Sequence, residues 1–178
     1  LVASNISLPS DCAIIYSEAK TWIEGTVSGK YTLFVADTGS YTPDVIINNN
    51  VTYATADGTT GLTVVAEGSV KLGLIVPETL TLRGIYVAQT GNYGRDYYYP
   101  ASGYLPSGYY SYAVQTQLNV IGTIVANQRG AVCYSSGGVC VSGFSSRLNA
   151  YDRVLAFSPP PFTPAVTTDY SYALWREE

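Results

Sequence analysis

The chain repeats one local grammar. A run of β-branched or leucine residues gives way to a Gly or Asn turn, and another such run follows. The pattern occupies WIEGTVSGKYTLFVA (22–36), VIINNNVTYAT (45–55), LTVVAEGSVKLGLIVPETLTLRGIYVA (62–88) and LNVIGTIVAN (118–127). Within the runs the apolar positions alternate. Tyr31, Leu33 and Val35 share one face, as do Val51, Tyr53 and Thr55, then Leu62, Val64 and Ala66. Val70 and Leu72 flank an outward Lys71, Leu80 and Leu82 alternate with Thr79, Thr81 and Arg83, and Ile85 and Val87 follow. A period of two belongs to strands. Asp37–Gly39, Pro43, Asn48–Asn50, Asp57–Gly61, Gly68, Gly73, Pro77–Glu78 and Gly84 punctuate the runs. Irregular spacing between comparable strands predicts an all-β fold, a right-handed parallel β-solenoid (β-helix) with corners of variable length. The alternative is a β-sandwich, which also uses short alternating strands. No Cys…Trp…Cys arrangement supports it.

With 178 residues the chain can bury the core of one domain, read as a single unit over 1–178. Charged residues make up only 12%, about half the usual ~25%. The polar surface therefore rests on hydroxyls and Asn. The net charge is −4 and the nine basic residues are scattered. That argues against nucleic acid, which wants a basic stripe. No run approaches the ~20 apolar residues that span a bilayer. The chain begins without Met and without a leader pattern. Its expected form is a processed piece, with membrane attachment only through an anchor upstream.

One helix is expected, over 11–24. Ser10 or Asp11 would cap it, Ile15, Ala19, Trp22 and Ile23 would form its apolar face, and Gly25 would stop it. Its task would be to cap the open end of the coil. Residues 89–117 break the strand pattern with eight tyrosines (Tyr93, Tyr97, Tyr98, Tyr99, Tyr104, Tyr109, Tyr110 and Tyr112) spaced by Gly and Pro. They read as an ordered insertion. A Tyr ring has an apolar face and a polar tip, so such a cluster suits sugar rings or protein partners. Tyr97, Tyr98, Tyr99, Tyr104, Tyr109 and Tyr110 are the candidate binding residues; rings sealed onto the coil are the alternative. The Pro-rich tail, 150–178, is expected to lie against the coil through Phe157, Phe162, Tyr170, Tyr172 and Trp175.

Cys133 and Cys140 flank a Ser-Ser-Gly-Gly turn in AVCYSSGGVCV (131–141). Cross-strand positions approach to the Cβ separation of about 3.5–4.5 Å that a disulfide needs. A bridge would imply an oxidising compartment; two reduced buried thiols are the alternative. Cys12 is left over and reads as a small buried hydrophobe.

The chain has no His. That removes the commonest general base and most zinc sites. Asp37, Asp44, Asp57, Glu67, Glu78 and Arg83 could serve a solenoid glycosidase or lyase, but they fall mostly at turns, where solvated carboxylates belong. Asp37–Asp44 and Asp57-Gly58 could hold calcium, yet Asp-Gly is also an ordinary turn pair. No cofactor and no catalytic residue is expected.

The succession from Asp44 to Gly94, then LNVIGTIVANQRG, the Gly143–Phe144 step, YDRVL and PPPFTP resembles surface domains of bacterial type IV pilin-like proteins. The resemblance covers about residues 30–175, most specifically Gly122–Asn127 and Tyr151–Pro164. It implies a parallel β-solenoid behind an N-terminal pilin helix, and a non-enzymatic cell-surface or pilus-associated role. The expected function is display or adhesion outside the cell, toward other pilus or surface-protein subunits, a polysaccharide or a host surface. The alternatives are a purely structural pilus subunit and a carbohydrate-active β-helix enzyme.

Overall fold

Alternating apolar runs with little charge leave their backbones one way to satisfy hydrogen bonds, which is to pair with each other. A computed structural model describes residues 13–39, 42–100 and 105–163. The domain is all-β. Its strands are β1 (Ile14–Ser17), β2 (Thr21–Val27), β3 (Lys30–Val35), β4 (Val45–Tyr53), β5 (Gly61–Ala66), β6 (Val70–Leu72), β7 (Thr79–Arg95), β8 (Val114–Gln128), β9 (Cys133–Ser136) and β10 (Val139–Ala150). One short helix, α1 (Arg153–Phe157), follows. The strands form a mixed, largely parallel sheet. Among the described residues only β9 with β10 pairs antiparallel. This is not the antiparallel pairing of the sandwich alternative.

The register links distant residues in columns. Ile14 pairs with Thr32, Thr32 with Thr63, Thr63 with Ile85 and Ile85 with Thr123. A second column runs Thr21, Val45, Val70, Tyr93. A third runs Gly25, Val51, Leu82, Val120, Asn149. Between the third column and the first, Gly84 and Gly122 pair, with φ of 139° and 143°. A Cβ on Gly122 would stand 1.9 Å from the Gly84 carbonyl oxygen, so this close approach admits only glycine.

The alternation places Leu33, Val35, Val51, Leu62, Val64, Ala66, Val70, Leu72, Leu80 and Leu82 in one buried core, as their spacing predicts. It departs from expectation at Ile85 and Val87, which are half-buried on the outer face. The period of two continues unbroken from Leu82 through Gly84 to Tyr86 and Ala88, both buried. Tyr86, larger than either, takes the inward position between the β-branched Ile85 and Val87, because the backbone phase decides.

The capping helix is absent. Residues 14–17 and 21–27 are strands, β1 on β3 and β2 on β4. Ile14, Ile15, Thr21, Ile23, Thr26 and Val27 are β-branched and stiff at χ1, which favours the strand. The parallel edges of β3 and β4 supply the hydrogen-bond partners that a local reading cannot see. Trp22 is 57% exposed, so it faces away from the core that the helix face required. Residues 11 and 12, including Cys12, lie outside the described residues, as do 1–10.

The tail continues across the outside of the first column. Asp152 accepts from the Val154 amide at 3.1 Å and caps α1. It also pairs with Arg83 at 3.2 Å, its side chain 3% exposed. Ser158 bonds Lys30 and the Gly58 carbonyl, Pro161 accepts from the Thr32 hydroxyl, and Thr163 meets Thr63. These contacts bury Thr32 and Thr63. Phe157 and Phe162, expected to face the coil, are instead 89% and 68% exposed, and polar contacts hold the tail in their place. Tyr170, Tyr172 and Trp175 lie outside the described residues.

Candidate binding surface

The tyrosine-rich stretch divides differently from its sequence boundaries of 89–117. Residues 89–95 belong to β7, and Tyr93 is buried in the core. Val114 opens β8. Between them, the described residues 96–100 and 105–113 lie outside the strands, and Ser107–Tyr112 form a 3-10 turn.

Arg95 anchors that segment. It is 2% exposed. Its Nε donates to the Gly73 carbonyl at 3.2 Å, and Nη1 to the Ala113 carbonyl at 3.2 Å. Its Nη2 donates to the carbonyls of Leu74 at 2.7 Å and Tyr112 at 2.6 Å. The guanidinium lies between the rings of Tyr98 and Phe144, 5.4 Å from each centroid. One cation therefore ties the β6–β7 corner to the far end of the segment. The near end is held where the Tyr98 amide donates to Ser142 Oγ at 2.8 Å. Leu105, on the same segment, is buried.

The candidate rings fall into two groups. Tyr97 and Tyr99 stack, with centroids 5.7 Å apart and planes at 29°. Tyr97 also meets Tyr134 edge-on at 5.1 Å. Tyr97 is 49% exposed, while Tyr99 and Tyr134 are half-buried. These three rings make a ledge. Tyr109 and Tyr110, both exposed, belong to the 3-10 turn, where Tyr109 and Tyr112 lie 6.4 Å apart. Tyr98 faces Arg95; burial raises its pKa, Asp96 adds to the rise and Arg95 opposes it. Tyr104 lies outside the described residues.

Sequence reasoning missed Tyr134 and Arg95. Tyr134 sits on β9, inside the hairpin closed by the Cys133–Cys140 disulfide, whose Cα atoms are 5.8 Å apart. The hairpin turn is Gly137-Gly138, so Ser135 and Ser136 belong to the strand. The Tyr134 hydroxyl donates to the Arg95 carbonyl at 3.1 Å. A tyrosine between two bridged cysteines is a fixed ring, and that spacing was the available signal. Beside the ledge is a cavity of about 250 Å³ whose lining includes Lys71, Asn92, Arg95, Arg129 and Tyr134. A larger cavity of about 580 Å³ opens beside β1 and β2, but Leu33, Val51 and Leu62 there are core side chains.

The carboxylates serve corners. Glu67 accepts from the Asp37 amide at 2.6 Å, and Asp44 accepts from the Ser69 amide at 2.8 Å. Asp57 accepts from the Thr59 amide and from the hydroxyls of Thr59 and Thr55, which lower its pKa to about 2. Arg83 is committed to Asp152. Among the described residues no three His, Cys, Asp or Glu side chains converge as a metal site requires. No family model, curated protein or solved structure matches the chain.

Proposed function

We propose that the three register columns are the sides of a right-handed parallel β-solenoid, and that this coil displays the tyrosine ledge at a cell surface or pilus. In-register parallel pairing from Ile14 through Thr32, Thr63 and Ile85 to Thr123 supports the coil. Its hand follows the near-universal right-handed crossover. The role is adhesion or display without chemistry, as in type IV pilin-like proteins. The Gly122–Asn127 and Tyr151–Pro164 motifs carry that likeness. The disulfide suits an oxidising, extracellular setting. Among the described residues no helix is long and apolar enough to cross a membrane.

One observation carries the reading. Tyr97 is half exposed yet fixed by two neighbouring rings, on a segment clasped by a buried arginine. An isolated exposed Tyr would lose rotamer freedom on binding, whereas this one is preorganised. The partners would be other surface or pilus subunits, a polysaccharide or a host surface. Tyr97→Ala should reduce attachment of displaying cells, or of the isolated domain, several-fold while the melting temperature moves by no more than a few degrees. Unchanged attachment in a Tyr97→Ala, Tyr109→Ala, Tyr110→Ala triple variant would sink the display reading. The pilin-like assignment is tested by the coding sequence upstream of Leu1, where a hydrophobic helix with a processing site would support it.

A further inference from the structure

The cavity beside the ledge has the wrong charge for this protein. The chain as a whole is at −4, with nine basic residues against thirteen acidic ones. Three of the nine (Lys71, Arg95 and Arg129) line this one cavity, and among the described residues no carboxylate lines it with them. Asp96 approaches Lys71 at 3.0 Å, but its side chain is 60% exposed, so water screens that pair. Arg95 is buried without a carboxylate among the described residues. Four backbone carbonyls occupy its donors. It therefore contributes field to the cavity floor rather than hydrogen bonds. Arg129 is exposed and makes no ion pair among the described residues.

Tyr134 belongs to both features. It lines the cavity, and its ring is the edge of the ledge against Tyr97. An apolar platform thus adjoins a small cationic recess. At about 250 Å³ the recess falls below the roughly 300–1,000 Å³ of drug-sized sites. It suits one small anionic group, while the body of a ligand rests on the rings outside. Among polymers that a surface protein meets, an acidic sugar offers a flat apolar face and a carboxylate on the same unit. We infer that the ledge and recess together bind a uronate-type unit of an acidic polysaccharide. The ring face lies on Tyr97 and Tyr99, and the carboxylate is met by Lys71 and Arg129. This rests on the proposed display role of the ledge. A nucleic acid would also offer stacking faces, but its backbone charge would meet an acidic molecule with only this local patch.

The test is titration calorimetry of the whole chain with a galacturonic acid hexamer, a neutral galactose hexamer and a single-stranded DNA hexamer. The acidic sugar should bind about tenfold more tightly than the neutral one at low salt, the factor expected of one good charge-assisted contact. The advantage should fade near 1 M salt, where the Debye length is about 3 Å. Arg129→Ala, at an exposed position, should remove the advantage, and Tyr97→Ala should weaken both sugars. Equal binding of the two sugars overturns the cationic recess, as does tighter binding of the DNA. Binding of neither sugar overturns the inference whole. In that case, attachment that still depends on Tyr97 leaves the display role standing, and attachment indifferent to Tyr97 removes both.

Discussion

Arg95 holds a positive charge in an interior that gives it carbonyl oxygens and two aromatic rings but no carboxylate among the described residues. Burial lowers its pKa to about 10, so it stays charged at neutral pH. Its planar fork reaches four carbonyls on two separate segments, a geometry lysine cannot reproduce. Arg95→Met should therefore cost about 3 kcal/mol, the scale of several lost charged hydrogen bonds partly offset by rehydration. Arg95→Lys should recover little of it. Urea unfolding reads the loss, and a variant within about 0.5 kcal/mol of the parent would show the carbonyls to be satisfied otherwise. Asp57 acts at the surface in the opposite sense. Hydrogen bonds from Thr59 and Thr55 lower its pKa from the usual 3.8 to about 2. Between those values the unfolded chain binds the extra proton, so stability rises with pH through that window. The Asp57 contribution is complete above about pH 4 and is lost as pH falls through 2. Asp57→Asn should destabilise at pH 7 and match the parent near pH 2. A gap that persists at pH 2 would assign the effect to shape rather than charge.

At the scale of elements, the β9–β10 hairpin and the 96–113 segment depend on each other. Ser142 accepts from the Tyr98 amide, Tyr134 bonds the Arg95 carbonyl, and the Gly143 amide donates to the Ala113 carbonyl. The disulfide closes a short loop, with a sequence separation of 7. Replacing both cysteines by serine should cost about 2 kcal/mol by loop-closure entropy. It should also loosen the ring contact of Tyr134 with Tyr97. Tyrosine ring resonances that broaden in the variant would show this, whereas an unaltered Tyr97 environment would separate the hairpin from the ledge. Which elements were legible in the sequence follows from where their information lies. The inward Leu and Val positions of β3, β5 and β6 were readable because alternation is local. So was the Cys133–Cys140 pairing, which needs only a hairpin. The strands at 14–17 and 21–27 were not, because Ile15, Ala19, Trp22 and Ile23 also satisfy helical spacing and the deciding partners, β3 and β4, come later in the chain. Arg95 looked like one scattered cation among nine. Its role depends on Gly73 and Tyr112, which only the fold brings together.

For the whole molecule, the proposed coil would distribute stability unevenly. In the proposed solenoid each layer touches only the layers above and below it. β1 pairs with β3 alone among the described strands, and Ile15 and Tyr16 on it are exposed. β5 lies between β3 and β7, with Val64 and Ala66 fully buried. End layers therefore have half the pairing and far less apolar burial than middle ones. Openings that free β1 need not disturb β5, whereas freeing β5 breaks the core. Native-state hydrogen exchange should show this as a gradient. Amides of β1 should exchange on the order of a hundredfold faster than those of β5 and of β7 near Leu80–Leu82, through local openings. The slowest group should track global stability in urea. A flat profile, with β1 as protected as β5, would mean that the strands open as one cooperative unit. Nearest-neighbour layering, and with it the physical basis for the proposed coil, would then fail.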